Sequence, residues 1–393
     1  MKLYPRKILP AIEKQLKPRE IIVLTGMRRT GKTTLYKMIF DRIASSNKAF
    51  LDMENPIEQK VFEEEDYNNV ILNLKEFGID PKKKAYIFLD EIQAMPHAVK
   101  AVKYLHDHHN IKFFLTGSSS FYLKNVFPES LAGRKFVFEI SPLDFEEFLI
   151  FKNKPKTFYA GFHQKDKYKN RISYEKLKHY YEEYLEFGGF PGVVISDNQN
   201  DKKLRLNDIF KSYFEKDVKT LADFKEIKAF RDLILLLMQR VGSKMEISKI
   251  ASEIGVSRET VYSFLSFLEA TYFVHFIRPF SRNVDKEVSG SRKVFLCDNG
   301  LLNKFAKVSG GALFENSVFL NLRKYGEIHY YQKRSGAEID FIVNSIALEA
   351  KIKGTDFDLK NLRKAALSIG IKKYYLLTHN FSNKENIIPA LEL

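Results

Sequence analysis

Residues Gly26-Met27-Arg28-Arg29-Thr30-Gly31-Lys32-Thr33 place two glycines, a lysine and a hydroxyl at the spacing G-x-x-x-x-G-K-[ST]. Glycines let a backbone wind its N–H groups around a phosphate chain, and the N-terminus of a following helix adds a favourable dipole. Lys32 offers a point charge to β- and γ-phosphates, and Thr33 offers a hydroxyl to Mg²⁺. The run from Gly26 to Thr34 is therefore a candidate cradle for a nucleoside triphosphate. A chance glycine turn is the plain alternative, but the apolar run Ile21 to Thr25 before it and the amphipathic pattern after it supply the context the motif needs.

About sixty residues on, Tyr86-Ile87-Phe88-Leu89 ends in two acids, Asp90 and Glu91. At a strand end beside the loop, Asp90 could hold the Mg²⁺ shell and Glu91 could polarise an attacking water. A third buried run, Phe113 to Leu115, ends in Thr116-Gly117-Ser118-Ser119. Thr116 or Ser118 could hydrogen-bond the γ-phosphate or the water, although a simple strand-to-turn transition reads the same way.

A second constellation lies near the C-terminus. Period two puts Glu349 and Lys351 on one face of the strand Ala347 to Lys351, and Asp340 lies on the neighbouring strand of an expected hairpin. Two converging carboxylates could bind Mg²⁺, with the lysine orienting water, which suits phosphodiester hydrolysis. An amphipathic surface hairpin is the alternative.

The elements that must position these groups follow from periodicity. Apolar runs at 21–25, 49–53, 85–89, 112–116 and 136–140 alternate with helical patterns, which predicts a mostly parallel α/β sheet. Ser141-Pro142-Leu143-Asp144 reads as a helix start with Ser141 as N-cap, the helix reaching Phe151. Residues 154–172 read as a loop, and 174–240 as helical around the breaker Gly188-Gly189-Phe190-Pro191-Gly192. Ile247 to Val261 has a helix-turn-helix pattern, with Gly255 turning the chain and Ser257 capping the second helix. Tyr272 to Ile277, with Arg278, Arg282 and Lys286, fits a wing with basic edges. Its second helix offers Arg258, Thr260 and Ser263 to DNA but also carries Glu259 and Glu269, so backbone contact or a protein-binding role both fit.

The 393 residues allow two to three domains, and 45% hydrophobic with 29% charged residues excludes a disordered chain. No apolar run approaches the roughly 20 residues needed to span a bilayer, and the N-terminus lacks a secretory pattern; a cytoplasmic protein without membrane contact is expected. With 64 Lys and Arg against 49 Asp and Glu, the net charge of +15 favours a polyanionic partner such as DNA. The single Cys297, in an apolar run, excludes a disulfide scaffold and reads as a buried thiol. His106, His108 and His109 have no matching ligand set and read as a helix end.

The phosphate loop, acidic strand end and polar Thr116 resemble the AAA+ superfamily of P-loop ATPases. The whole chain resembles a prokaryotic family that joins such an ATPase to a winged helix and a C-terminal nuclease-like domain. Further marks are Leu131-Ala132-Gly133-Arg134, Ser141 to Phe145, Leu185 to Pro191 and Ser335-Gly336-Ala337-Glu338-Ile339-Asp340-Phe341. The resemblance implies an α/β fold: a P-loop NTPase parallel sheet, a helical lid and winged helix, and a small restriction-endonuclease-like α/β domain. The expected boundaries are 1–153, 154–241, 242–292 and 293–393. Arg134 would be an arginine finger acting in a neighbouring subunit, which would require a homo-oligomer such as a ring. The C-terminal motif resembles the PD-(D/E)xK nuclease core, with Glu315 as the helix-borne acid and Ile339 where that motif has proline.

The expected function is a Mg²⁺-dependent ATPase coupling ATP hydrolysis to DNA-associated work, with a possible nuclease. Two alternatives stay open: a nucleotide-dependent switch whose later domains bind proteins, and a metal-dependent nuclease loaded by its ATPase.

Overall fold

The computed structural model describes residues 3–117, 131–218, 226–281, 287, 290–333 and 336–393. Ser118, Ser119, Arg282, Lys286 and Ser335, named above, lie outside them. The chain divides into two compact units. One comprises Met1–Ser141, Lys211–Asp223 and Ala270–Tyr272; the other comprises Pro142–Phe210, Phe224–Glu269 and Phe273–Leu393.

In the first unit, β1 (Ile21–Thr25), β2 (Lys48–Asp52), β3 (Ala85–Asp90), β4 (Ile111–Gly117) and β5 (Lys135–Glu139) form a parallel sheet in the order β2-β3-β4-β1-β5. The inner runs become strands because both faces are covered, whereas the edge strand β5 leaves Phe136 and Val137 exposed. Ile22 and Leu24 pack with Leu35, Tyr36 and Ile39 of the helix Lys32–Arg42 on one side. Ile21 and Val23 pack with Val70, Leu74, Val99 and Leu105 on the other. Because β1, β3 and β4 are parallel neighbours, their C-terminal ends lie side by side, and each ends in one of the chemical groups singled out above.

The second unit holds a seven-stranded mixed sheet in the order β12-β11-β10-β9-β8-β6-β7. Its strands are β6 (Val274–Pro279), β7 (Lys293–Leu296), β8 (His329–Gln332), β9 (Glu338–Val343), β10 (Ile346–Lys351), β11 (Lys373–Thr378) and β12 (Ile387–Pro389). The segment read as a wing supplies β6, which pairs antiparallel with β7 and parallel with β8. The helices Ile247–Ile254 and Arg258–Ala270 are joined through Gly255 at φ 72°, and Ser257 Oγ accepts the Thr260 N–H at 3.1 Å. Helix Asp356–Ser368 starts in a capping box of Thr355 and Asp358 and buries Leu362, Ala365 and Ala366 against Ile339, Ala347 and Leu376.

Residues 154–172, read as a loop, hold the helix Phe162–Lys167 and the start of Arg171–Phe187, and one further helix start differs from expectation. The helix is Phe145–Phe151 and its cap is Asp144, whose side chain accepts the Glu147 N–H at 2.9 Å, rather than Ser141. The cause is long-range: Leu143 N–H donates to Gly189 O at 2.8 Å, and Leu143 O accepts from Tyr184, which holds the chain out of helix until that point. The Gly188-Gly189 pair is explained by the same contacts. A Cβ on Gly189 would stand 2.2 Å from Leu143 O, and one on Gly188, at φ 75°, would stand 2.2 Å from the Asp298 carboxylate.

Candidate functional site

The phosphate loop leaves β1 through Gly26 at φ 144°, where a Cβ would meet Ile140 O at 2.1 Å, so only glycine fits. Arg29 (φ 66°) and Gly31 (φ 96°) are also left-handed, and Gly31 is the N-cap of Lys32–Arg42. Thr30 Oγ1 donates to Met27 O at 2.9 Å, and the Arg6 guanidinium donates to Thr30 O at 2.9 Å and Ser141 O at 2.8 Å, clamping the loop. The buried Lys32 ammonium donates to Gly26 O at 2.8 Å and Met27 O at 3.0 Å. Burial lowers its pKa, and the charges of Glu91, Asp217 and Asp90 counteract part of that.

At the end of β3, burial raises the pKa of Asp90, against hydrogen bonds from Thr116 and Thr33 that favour its charged form. Thr116 Oγ1 donates to Asp90 and accepts the Glu91 N–H at 2.9 Å. Glu91 sits at φ 52°, a costly conformation for a non-glycine residue, and its carboxylate accepts from Gln93. The structure thus brings together the loop, Lys32, Thr33, Asp90, Glu91 and Thr116. Thr25 Oγ1, at the C-terminal end of β1, is buried with no hydrogen-bond partner among the described residues.

Arg134 stands apart. It precedes β5, whose first residue pairs with Ile21 at the start of β1, so it lies at the sheet end opposite the loop. Its Nε donates to Asp107 Oδ1 at 2.9 Å, and this bond holds the Asp107 carboxyl down at about 2.

The C-terminal acids gather on β9, β10 and the helix Gly310–Leu322. Asp340 stands opposite Glu349, one step beyond the pair Phe341–Leu348, and Asp340 Oδ2 accepts the Ala350 N–H at 3.0 Å. Lys351 Nζ lies 2.9 Å from Glu349 Oε1. Into this group β7 inserts Lys293, its side chain 4% exposed, 2.7 Å from Glu338 and 3.9 Å from both Glu315 and Asp340. Burial opposes the Lys293 charge, yet Asp340, Glu315 and Glu338 together raise its pKa. Burial and the Asp340 charge push Glu315 up to about 8, and burial raises Asp340 and Glu349 as well. Among the described residues, no group of three or more His, Cys, Asp and Glu side chains is arranged to hold a metal ion.

Arg6, Asp217, Lys293 and Glu338 were not singled out by the sequence reading. Arg6, Asp217 and Lys293 reach their clusters across long stretches of chain, which local spacing does not record; Glu338 lies two residues before Asp340 on β9, so strand alternation was the signal that could have found it.

Residues 18–149 match a family described as an AAA domain. Residues 178–311 and 310–391 match two families described as domains of unknown function, DUF8612 and DUF4143. The chain is 31% identical over 393 residues to the uncharacterized protein MJ1544 of Methanocaldococcus jannaschii, covering 92% of this chain and 84% of that protein. It is 30% identical over 343 residues to a Haemophilus influenzae protein, covering 84% of this chain and 80% of that one. The ADP form of Aeropyrum pernix ORC2 is a more distant structural likeness, 12% identical with a TM-score of 0.34 over 68% of this chain and 85% of that chain. The chain carries an AAA domain and belongs to the same family as MJ1544.

Proposed function

We propose that the protein is a Mg²⁺-dependent ATPase that couples ATP binding and hydrolysis to work on DNA. The observation that carries the catalytic half is the convergence of the glycine-wound loop, Lys32, Asp90, Glu91 and Thr116 at the ends of three adjacent parallel strands. Thr33 and Asp90 are hydrogen-bonded hard-oxygen donors beside the loop, a pair that fits Mg²⁺. When bound, that ion neutralises developing charge on the phosphates. Lys32 exchanges its two carbonyl partners for the β- and γ-phosphates. Glu91 takes the proton of the attacking water while Thr116 fixes it beside Asp90. Arg134, at the far end of the sheet, is read as a group for a neighbouring copy's site rather than its own.

The DNA half rests on the +15 charge and on Arg258 and Ser263, exposed on the second helix of the pair. Among the described residues, the C-terminal cluster, with the Lys293 ammonium among its carboxylates, does not fit a metal. That observation favours a second unit that grips DNA or a protein rather than cutting. The test is the ATPase rate with and without single-stranded, duplex and branched DNA. Stimulation that falls steeply with salt supports work on DNA; a rate indifferent to all three supports a protein-binding nucleotide switch.

A further inference from the structure

Asp217 comes from a segment far from the loop in sequence. It sits on a π-helical turn, Tyr213–Val218, within the first unit, and π-turns frequently mark functional positions. Tyr213 anchors that turn through a 2.8 Å hydroxyl–hydroxyl hydrogen bond to Thr271. The Asp217 side chain is 2% exposed and accepts from Arg28 Nε at 3.2 Å. Arg28 is one of the four variable residues of the phosphate loop. Its Nη1 also lies 3.9 Å from Glu54, which Lys216 approaches at 3.4 Å, so the turn is tied to the loop twice.

The charge of Asp217 also acts on Lys32. Burial pushes the Asp217 carboxyl up to about 6, with Arg28 and Lys32 pulling it back. A buried anion thus engages two of the loop's three cations, Arg28 and Lys32. Phosphate oxygens are better partners for a guanidinium fork than a single carboxylate oxygen on Nε. An incoming nucleotide therefore competes with Asp217 for the same cations.

We propose that Asp217 is a positioning residue of the nucleotide site, holding Arg28 when the loop is free and yielding it to the phosphates when nucleotide binds. The inference rests on the ATP-binding reading above. Breaking the pair on binding subtracts from nucleotide affinity and frees the turn Tyr213–Val218.

Two measurements test it. In Asp217→Asn, ATP and ADP should bind about three- to tenfold more tightly by calorimetry, the scale of one partly shielded ion pair. That gain should vanish when the same change is made in Arg28→Gln, because Asp217 acts through Arg28. In the wild type, saturating Mg²⁺ with a non-hydrolysable ATP analogue should speed amide hydrogen exchange across 213–218. Unchanged or weaker binding in Asp217→Asn, or a gain that persists in Arg28→Gln, overturns the proposal. So does unchanged exchange in nucleotide-saturated wild type, which decides the matter even if the variants do not fold. A wild type that binds no nucleotide would instead overturn the ATP reading.

Discussion

The Thr116 hydroxyl donates to the Asp90 carboxylate and, as acceptor, takes the Glu91 N–H at 2.9 Å. One side chain therefore fixes both acids, and its loss should disturb chemistry more than binding. Thr116→Val keeps the shape and removes both bonds. Turnover should fall roughly 10- to 100-fold, the usual scale for a group that orients reacting residues, while ADP affinity changes less than about threefold. Steady-state hydrolysis and calorimetry check this; an equal loss in both would contradict it.

Lys32→Ala should remove measurable ATP turnover, a loss of at least about 100-fold, because it deletes the point charge proposed to face the β- and γ-phosphates. It also strands the carbonyls of Gly26 and Met27, so a stability loss of about 1–3 kcal/mol is expected without unfolding. Hydrolysis assays alongside circular dichroism separate the two effects.

Asp298 explains why the chain breaks at Gly188-Gly189. Its buried carboxylate accepts the Gly189 N–H at 2.6 Å and the Leu301 N–H at 3.1 Å. Burial nonetheless raises its pKa from 3.8 to about 6. An acid raised in the folded state binds its proton more tightly there, so its favourable contribution is complete below pH 4 and is lost as pH rises through about 6. Measured against Asp298→Asn, wild-type stability should decline between pH 4 and 7 by up to roughly 3 kcal/mol. Denaturant titrations at both ends of that range check it; a difference that rises with pH would contradict the burial argument.

Lys293 places a single buried ammonium within 4 Å of Glu315, Glu338 and Asp340 at the edge of the second sheet. Lys293→Met should cost about 3–5 kcal/mol by leaving buried carboxylates unpaired. Mn²⁺ should then recover part of the melting temperature in the variant and leave the wild type unchanged. Wild type that nicks DNA with Mg²⁺ or Mn²⁺ would show that the cluster does take a metal.

The first sheet was readable because its apolar runs are short and bounded by turns, and the inner ones, Ile21–Thr25 among them, are buried on both faces. The loop and the hairpin carrying Asp340 and Glu349 were readable for a similar reason: motif and alternation are local. The start of the helix at Phe145 was not, because Leu143 is held by Gly189 and Tyr184, more than forty residues on. Pairing of β6 with β8 and the approach of Asp217 to Arg28 are likewise contacts between distant segments that periodicity does not encode.

The most direct test is calorimetric titration of ATP and ADP, with Mg²⁺, into wild type and Lys32→Ala. One nucleotide per chain should bind wild type at micromolar affinity, with Lys32→Ala at least about tenfold weaker. A folded wild type that gives no binding heat at any temperature tried, or equal affinity in the two proteins, would contradict a nucleotide site at Lys32.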